Sequence, residues 1–113
     1  MAASRMRRIN EVLREVVGAA IAELSDPRIG FVTVTSVETS PDLRAAKVYV
    51  SVLGSESERE ETMAGLRSSH GVIQSKIATE TRMKRTPALS FRYDETVEQG
   101  MRISRLLEEE EEE

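Results

Sequence analysis

Apolar residues recur at spacings of three and four near the start of the chain: Met6, Ile9, Leu13, Val16, Val17, Ala20, Ile21 and Leu24. That period puts them on one face of an α-helix over residues 5–24. Arg7, Arg8, Glu11, Arg14, Glu15 and Glu23 occupy the other face. Ser25-Asp26-Pro27 predicts the end of the helix, because the residue before a proline is pushed out of helical dihedrals. The period then changes to two. Phe31 to Thr39, rich in valine and threonine, predicts a strand. Ser40-Pro41-Asp42 predicts a turn. From Arg44 to Val52, Ala46, Val48, Val50 and Val52 alternate with Ala45, Lys47, Tyr49 and Ser51, the pattern of a strand with one buried face. The short connection predicts an antiparallel hairpin.

Gly54-Ser55 breaks the alternation. Ser57 and Glu60 match a capping box, in which each side chain satisfies a backbone N–H at a helix start. A second helix is therefore expected from Glu58 to Ser68, burying Met63 and Leu66. A further helical stretch is expected from Gly71 to Met83, burying Val72, Ile73 and Ile77, with Ser69-His70-Gly71 between the two. Thr86-Pro87 closes it, and Ala88 to Tyr93 predicts a third strand with Leu89, Phe91 and Tyr93 on one face. Asp94 to Leu107 predicts a final helix from the looser recurrence of Val97, Met101, Ile103, Leu106 and Leu107. Three strands with helices on one face make a two-layer α+β sandwich.

Composition narrows the function. A chain of 113 residues suits one domain, here residues 1–107, followed by an acidic tail, 108–113. With no cysteine and one histidine, disulfides, thiolate zinc sites and multi-histidine metal sites are excluded, and a reducing cytoplasm is the simple reading. No apolar run is long enough to span a membrane, and the basic N-terminus lacks the apolar segment of a secretory signal. Aromatic residues are 4% of the chain, which leaves little for recognition by ring stacking. The net charge of −4 conceals an asymmetry: without Glu108 to Glu113, 16 basic residues face 14 acidic ones, a balance of +2. A run of like charges with no apolar anchor predicts a disordered tail.

The candidate chemistry gathers at the predicted break, Ser69-His70-Gly71. A helix starting there points free N–H groups outward, where they can hold a phosphate. Gly71 would let a backbone come close. Lys76, Arg82, Lys84 and Arg85 would add the sequence-independent attraction that dominates nucleic-acid affinity. The plain alternative is a glycine that only kinks or caps a helix, beside a solvated basic face. Arg5, Arg7 and Arg8 form a second cluster with Arg14 at a helix start, where the macrodipole disfavours cations. They mark either a binding surface or a solvated terminus. His70 could serve as a general base only beside a nucleophile or an orienting carboxylate. A polar or RNA-facing role suits it better, and no enzyme, metal or cofactor fingerprint occurs. Asp26, Asp42 and Asp94 stand where caps and turns want aspartate.

Arg7-Arg8-Ile9-Asn10, then Leu24-Ser25-Asp26-Pro27-Arg28-Ile29-Gly30, resemble the start of the bacterial ribosome-binding factor A family. Val32 to Glu38 and Asp42 to Val50 resemble its hairpin, and Arg85-Thr86-Pro87-Ala88-Leu89-Ser90-Phe91-Arg92-Tyr93-Asp94-Glu95-Thr96 its last strand and exit. The similarity covers roughly residues 5 to 107 in unbroken order. It implies a KH-like fold of the second type, helix-strand-strand-helix-helix-strand, in which an Ala-x-Gly kink replaces the G-x-x-G loop. Ser69-His70-Gly71 stands at that kink, with serine for alanine. It further implies a monomeric, cytoplasmic, non-catalytic factor without cofactors. Such a factor binds the immature small (30S) ribosomal subunit and its 16S rRNA, and assists late maturation and precursor-end processing, notably in the cold. RNA-binding residues are then expected among Arg5, Arg7, Arg8, Ser69, His70, Gly71, Lys76, Arg82, Lys84 and Arg85. A basic C-terminal extension is common in the family, and the glutamate run departs from it. The rival readings are a protein-interaction module docking through its apolar helical face, and a small phosphoester-cleaving enzyme.

Overall fold

The computed structural model describes residues 2–96 and residue 107. The order is α1 (Ala2–Ala22), β1 (Phe31–Thr39), β2 (Ala45–Leu53), α2 (Glu56–Ser68), α3 (His70–Glu80) and β3 (Ala88–Tyr93). The strands form one sheet in the order β1-β2-β3. β1 and β2 are an antiparallel hairpin, Phe31 opposite Leu53 and Thr39 opposite Ala46. β3 runs parallel to β2, with Ala45 opposite Ala88 and Val50 opposite Tyr93. Parallel neighbours need a crossover, and α2 and α3 supply it.

The alternation in the strands decides which face is covered. Val34 and Val37 from β1, Ala46, Val48 and Val50 from β2, and Leu89 and Phe91 from β3 are buried. They meet Leu13, Val17, Ala20 and Ile21 of α1, Met63 and Leu66 of α2, and Ile73 and Ile77 of α3 in one core. The other face of the sheet carries the exposed polar residues Thr33, Ser36, Glu38, Lys47, Ser90 and Arg92, and at one end the exposed apolar pair Phe31 and Leu53. α1 lies along β1 and α3, and α2 lies on β3.

The helices start and stop at slightly different places from those the pattern predicts. α1 ends at Ala22 because Glu23 and Leu24 bond to the carbonyls three residues back, at 3.3 and 3.1 Å, tightening the last turn ahead of Pro27. The capping box forms at Ser55 and Glu58, not at Ser57 and Glu60: Glu58 N–H donates to Ser55 Oγ at 3.1 Å, and Ser55 N–H to Glu58 Oε1 at 3.3 Å. Both registers of Ser-x-x-Glu are present. Gly54, at φ +142°, makes the turn that commits the chain to the earlier one. α3 ends at Glu80, where Thr81 Oγ1 donates back to Ile77 O at 2.8 Å. The pattern places Val72 inside, but it is 53% exposed. Ile73 and Ile77, one turn apart, take the inward face, and Val72 falls about 100° away from Ile73. The predicted final helix beyond Thr96 and the run Glu108–Glu113 lie outside the described residues, apart from Leu107.

Two close contacts lock the loop before β1 onto α2. Buried Thr62 donates to Arg28 O at 3.2 Å and accepts from Gly30 N–H at 3.3 Å. Beside it, a Cβ on Gly65 would lie 2.8 Å from Ile29 Cγ1, so only glycine lets the loop approach this helix. Thr62 and Gly65, within one turn of each other, thus hold the loop against the buried face of α2.

Candidate nucleic-acid interface

The break is sharper than the three-residue interval predicted. Ser69 alone separates the helices, at φ −89° and ψ 6°. Its N–H closes α2 by donating to Gly65 O at 3.0 Å, and its carbonyl opens α3 by accepting from Ile73 N–H at 3.1 Å. One residue is thus C-cap and N-cap together, and His70 and Gly71 belong to the first turn of α3. The Ser69 hydroxyl makes no capping hydrogen bond. The first amides of α3 therefore lack the side-chain acceptor that usually satisfies them. Gly71 is exposed, with no atom within 4 Å of where its Cβ would stand. Nothing among the described residues requires a glycine there.

His70 and Gln74 point the other way, onto the outer edge of β3. On its inner side β3 is bonded to β2, through Ala88 N–H to Arg44 O at 2.9 Å and Asp94 N–H to Val50 O at 2.8 Å. On the outer side Gln74 behaves like a short strand. Its Nε2 donates to Pro87 O at 2.6 Å, and its Oε1 accepts from Leu89 N–H at 3.2 Å. His70 Nε2 sits 3.0 Å from Leu89 O. A carbonyl only accepts, so Nε2 is the donor in this contact. A bare edge strand invites unwanted pairing, and here α3 closes its first half. The half-buried His70 is thus anchored to backbone, not poised beside a nucleophile.

Past that closure a groove of about 490 Å³ opens along β3, lined by Arg67, His70, Leu89, Ser90, Phe91 and Arg92. Arg67 comes from the last turn of α2 and Arg92 from the exposed side of β3. Both guanidinium-bearing residues are exposed. They flank an apolar floor beside the uncapped start of α3, which suits a polyanion with a flat or apolar portion. The opposite flank of α3 is different. There Lys76 pairs with Glu23, in the turn that follows α1, in a smaller groove of about 280 Å³, shared with Glu15, Val16, Ala19, Ala20 and Glu80.

The predicted site residues are therefore only partly assembled. Ser69, His70 and Gly71 stand together at the break, and of the three His70 lines the groove. Lys76 lies on the acidic flank, engaged by a carboxylate. Arg82, Lys84 and Arg85 are exposed but follow the far end of α3, about 16 Å along the helix axis from its start. Arg5, Arg7 and Arg8 are exposed on α1. The expected binding residues leave out Arg67 and Arg92, which line the groove. Arg92 carried a faint signal, being an arginine on the polar side of a strand whose alternate residues are buried.

The carboxylates whose affinity for protons is displaced belong to turns and caps, not to the groove. Asp26 is held below its ordinary value chiefly by the hydrogen bond from the Arg28 side chain, and Asp42 by that from Ser40. Asp94 is lowered first by Thr35 Oγ1, 2.6 Å away, then by Thr96. Thr35 is the extra residue of a bulge in β1, where the register shifts between Val34 and Ser36. The bulge aims its hydroxyl at the exit of β3. Among the described residues no three potential metal ligands converge, and no helix is long and apolar enough to cross a membrane.

Fold and groove together define a small α+β domain with a three-stranded mixed sheet and a cationic cleft where an interrupted helix meets an edge strand. The family model described as ribosome-binding factor A matches residues 5–107. Ribosome-binding factor A of Halothermothrix orenii is 47% identical over 114 residues, covering 100% of this chain and 93% of that protein. The crystal structure of ribosome-binding factor A from Thermus thermophilus superposes with a TM-score of 0.71 at 27% identity, over 78% of this chain and 93% of that one. A homology model of the Thermus thermophilus factor, fitted into a cryo-EM map of its complex with the 30S subunit, matches with a TM-score of 0.66 at 28% identity, over 76% and 91%. The chain belongs to the ribosome-binding factor A family.

Proposed function

We propose that this protein is a non-catalytic assembly factor that binds the immature 30S subunit through its 16S rRNA and assists late maturation and processing of the precursor end. The observation that carries the reading is the groove of Arg67 and Arg92 beside the uncapped first turn of α3, in a family with a member fitted onto a 30S subunit. The element order and mixed sheet support a KH-like domain of the second type, with the break at Ser69 in place of a G-x-x-G loop. Gly71 offers its backbone to a phosphate. Arg67 and Arg92 grip the chain on either side, and the apolar floor of Leu89 and Phe91 takes a sugar or base edge. Arg82, Lys84 and Arg85, with Arg5, Arg7 and Arg8, reach neighbouring phosphates instead of sharing one site. Such a binder favours one RNA arrangement only by its higher affinity for it. It works as a cytoplasmic monomer, and its value rises in the cold, where RNA leaves misfolded states slowly.

Sedimentation of cell extract at low and high salt tests the reading. The protein should travel with free small subunits at low salt, leave them at high salt because several phosphates are neutralised, and be absent from full ribosomes. Migration with full ribosomes, or binding indifferent to salt, would refute it.

A further inference from the structure

The basic groove and the acidic run belong to one chain, and each suits the other. Among the described residues, Arg67, Arg82, Lys84, Arg85 and Arg92 take part in no ion pair. Arg5, Arg7 and Arg8 on α1 take part in none either, whereas Lys76 is answered by Glu23 and Arg14 by Glu11. The largest block of negative charge in the sequence is Glu108 to Glu113. We propose that this run docks in the groove between Arg67 and Arg92 and competes there with RNA, a reading that rests on the groove being an RNA surface.

Reach permits it. Arg92 lines the groove and Tyr93 ends β3, so the connecting segment leaves from the site itself. Fourteen residues, 94–107, join the end of β3 to Glu108, and a flexible tether of that length has a root-mean-square span of about 20 Å. Charge favours the same pairing. The groove with an acidic rim along α1 repels the run, and the groove along β3 offers two guanidiniums, which match carboxylates as they match phosphates. Arg5, Arg7 and Arg8 sit at the other end of the sequence on a different helix, and they are the rival target.

A short flexible tether gives an effective concentration on the order of 1 mM. If the run binds with a dissociation constant near 10⁻⁴ M, roughly the weak end of sequence-independent polyanion binding, it weakens RNA binding about tenfold. The effect should fade as salt screens it. Only RNA with more contacts than a short strand displaces the run, so the device raises discrimination against stray single strands.

The test compares the full chain with a full-length variant carrying Glu→Gln at Glu108, Glu109, Glu110, Glu111, Glu112 and Glu113. Binding of a fluorescein-labelled single-stranded RNA is followed by anisotropy, and backbone amides by ¹⁵N NMR. The variant should bind about tenfold tighter at roughly 0.05 M salt and equally at roughly 0.5 M. Hexaglutamate added in trans should weaken the variant again. The amides that differ between the two proteins should cluster at Arg67, His70, Gly71 and Leu89–Arg92. Tighter binding without those shifts, or with shifts at Arg5–Arg8, overturns docking in the groove. Equal RNA binding by both proteins overturns the competition and leaves the RNA reading standing. No RNA binding by either overturns both.

Discussion

Gly71→Ala should move stability and RNA binding in opposite directions. Gly71 sits in the first turn of α3 at a helical position, and a Cβ there would meet no atom within 4 Å. Glycine inside a helix costs roughly 0.5–1 kcal/mol relative to alanine, through the freedom it loses on folding. With no clash to offset that gain, and a first-turn position that reduces it, the variant should be more stable by about 0.5 kcal/mol. For a domain of this size that is a rise in Tm of about 2–4 °C. The Cβ would project into the space an incoming phosphate needs. Losing one or two charge-assisted bonds from the α3 amides, at about 1.5–3 kcal/mol each, should weaken RNA binding at least tenfold, since about 1.4 kcal/mol is a factor of ten. Thermal unfolding by circular dichroism and RNA anisotropy read the two effects on one sample. A lower Tm would mean that the glycine serves internal packing. A higher Tm with unchanged RNA affinity would refute the backbone platform at α3.

Three further outcomes rest on the same structure. Arg67→Ala with Arg92→Ala should weaken RNA binding at every sequence tested and reduce the slope of log K against log salt by about 2; an unchanged slope places the phosphates elsewhere. Gly65→Ala should destabilise the fold by about 1–3 kcal/mol in urea titration, because its Cβ would stand 2.8 Å from Ile29 Cγ1; a neutral result would show that the 25–30 loop is not held against α2. Asp94, held below its ordinary value of 3.8 mainly by Thr35, stabilises the fold above its unfolded pKa, and that contribution is lost as pH falls through the lower folded value. Asp94→Asn should therefore flatten the fall of stability as pH drops below about 4, and an equally steep acid limb would show that Asp94 adds nothing.

Most of the elements were legible because each obeys a short-range period. β1 and β3 stand where the valine, threonine and aromatic alternation places them, and β2 is displaced by one residue. The capping register was not legible, since Ser55-x-x-Glu58 and Ser57-x-x-Glu60 are equivalent locally and the dihedral of Gly54 chose between them. The helix break was legible at Ser69-His70-Gly71, where turn chemistry and helix patterning meet. The cationic walls of the groove were not. Lys76 is close to Gly71 in sequence, yet helical geometry turns it towards α1 and Glu23. His70 and Gln74 are polar residues beside the break, yet they satisfy Pro87 and Leu89 on the edge of β3.

By itself the sequence determined three strands, an interrupted helical crossover, a domain without thiols, and a family. All of these follow from periods of 2 and 3.6, from turn residues, or from ordered motifs, and none needs two distant segments to be brought together. Only the tertiary structure decided that β3 pairs parallel to β2 and that its outer edge is half closed by α3. Only it could show that Arg67 and Arg92 face one groove while Lys76 and Arg82 do not. Parallel pairing and groove walls join residues far apart in the chain, and no local rule of spacing encodes which distant side chains meet once the common core is buried.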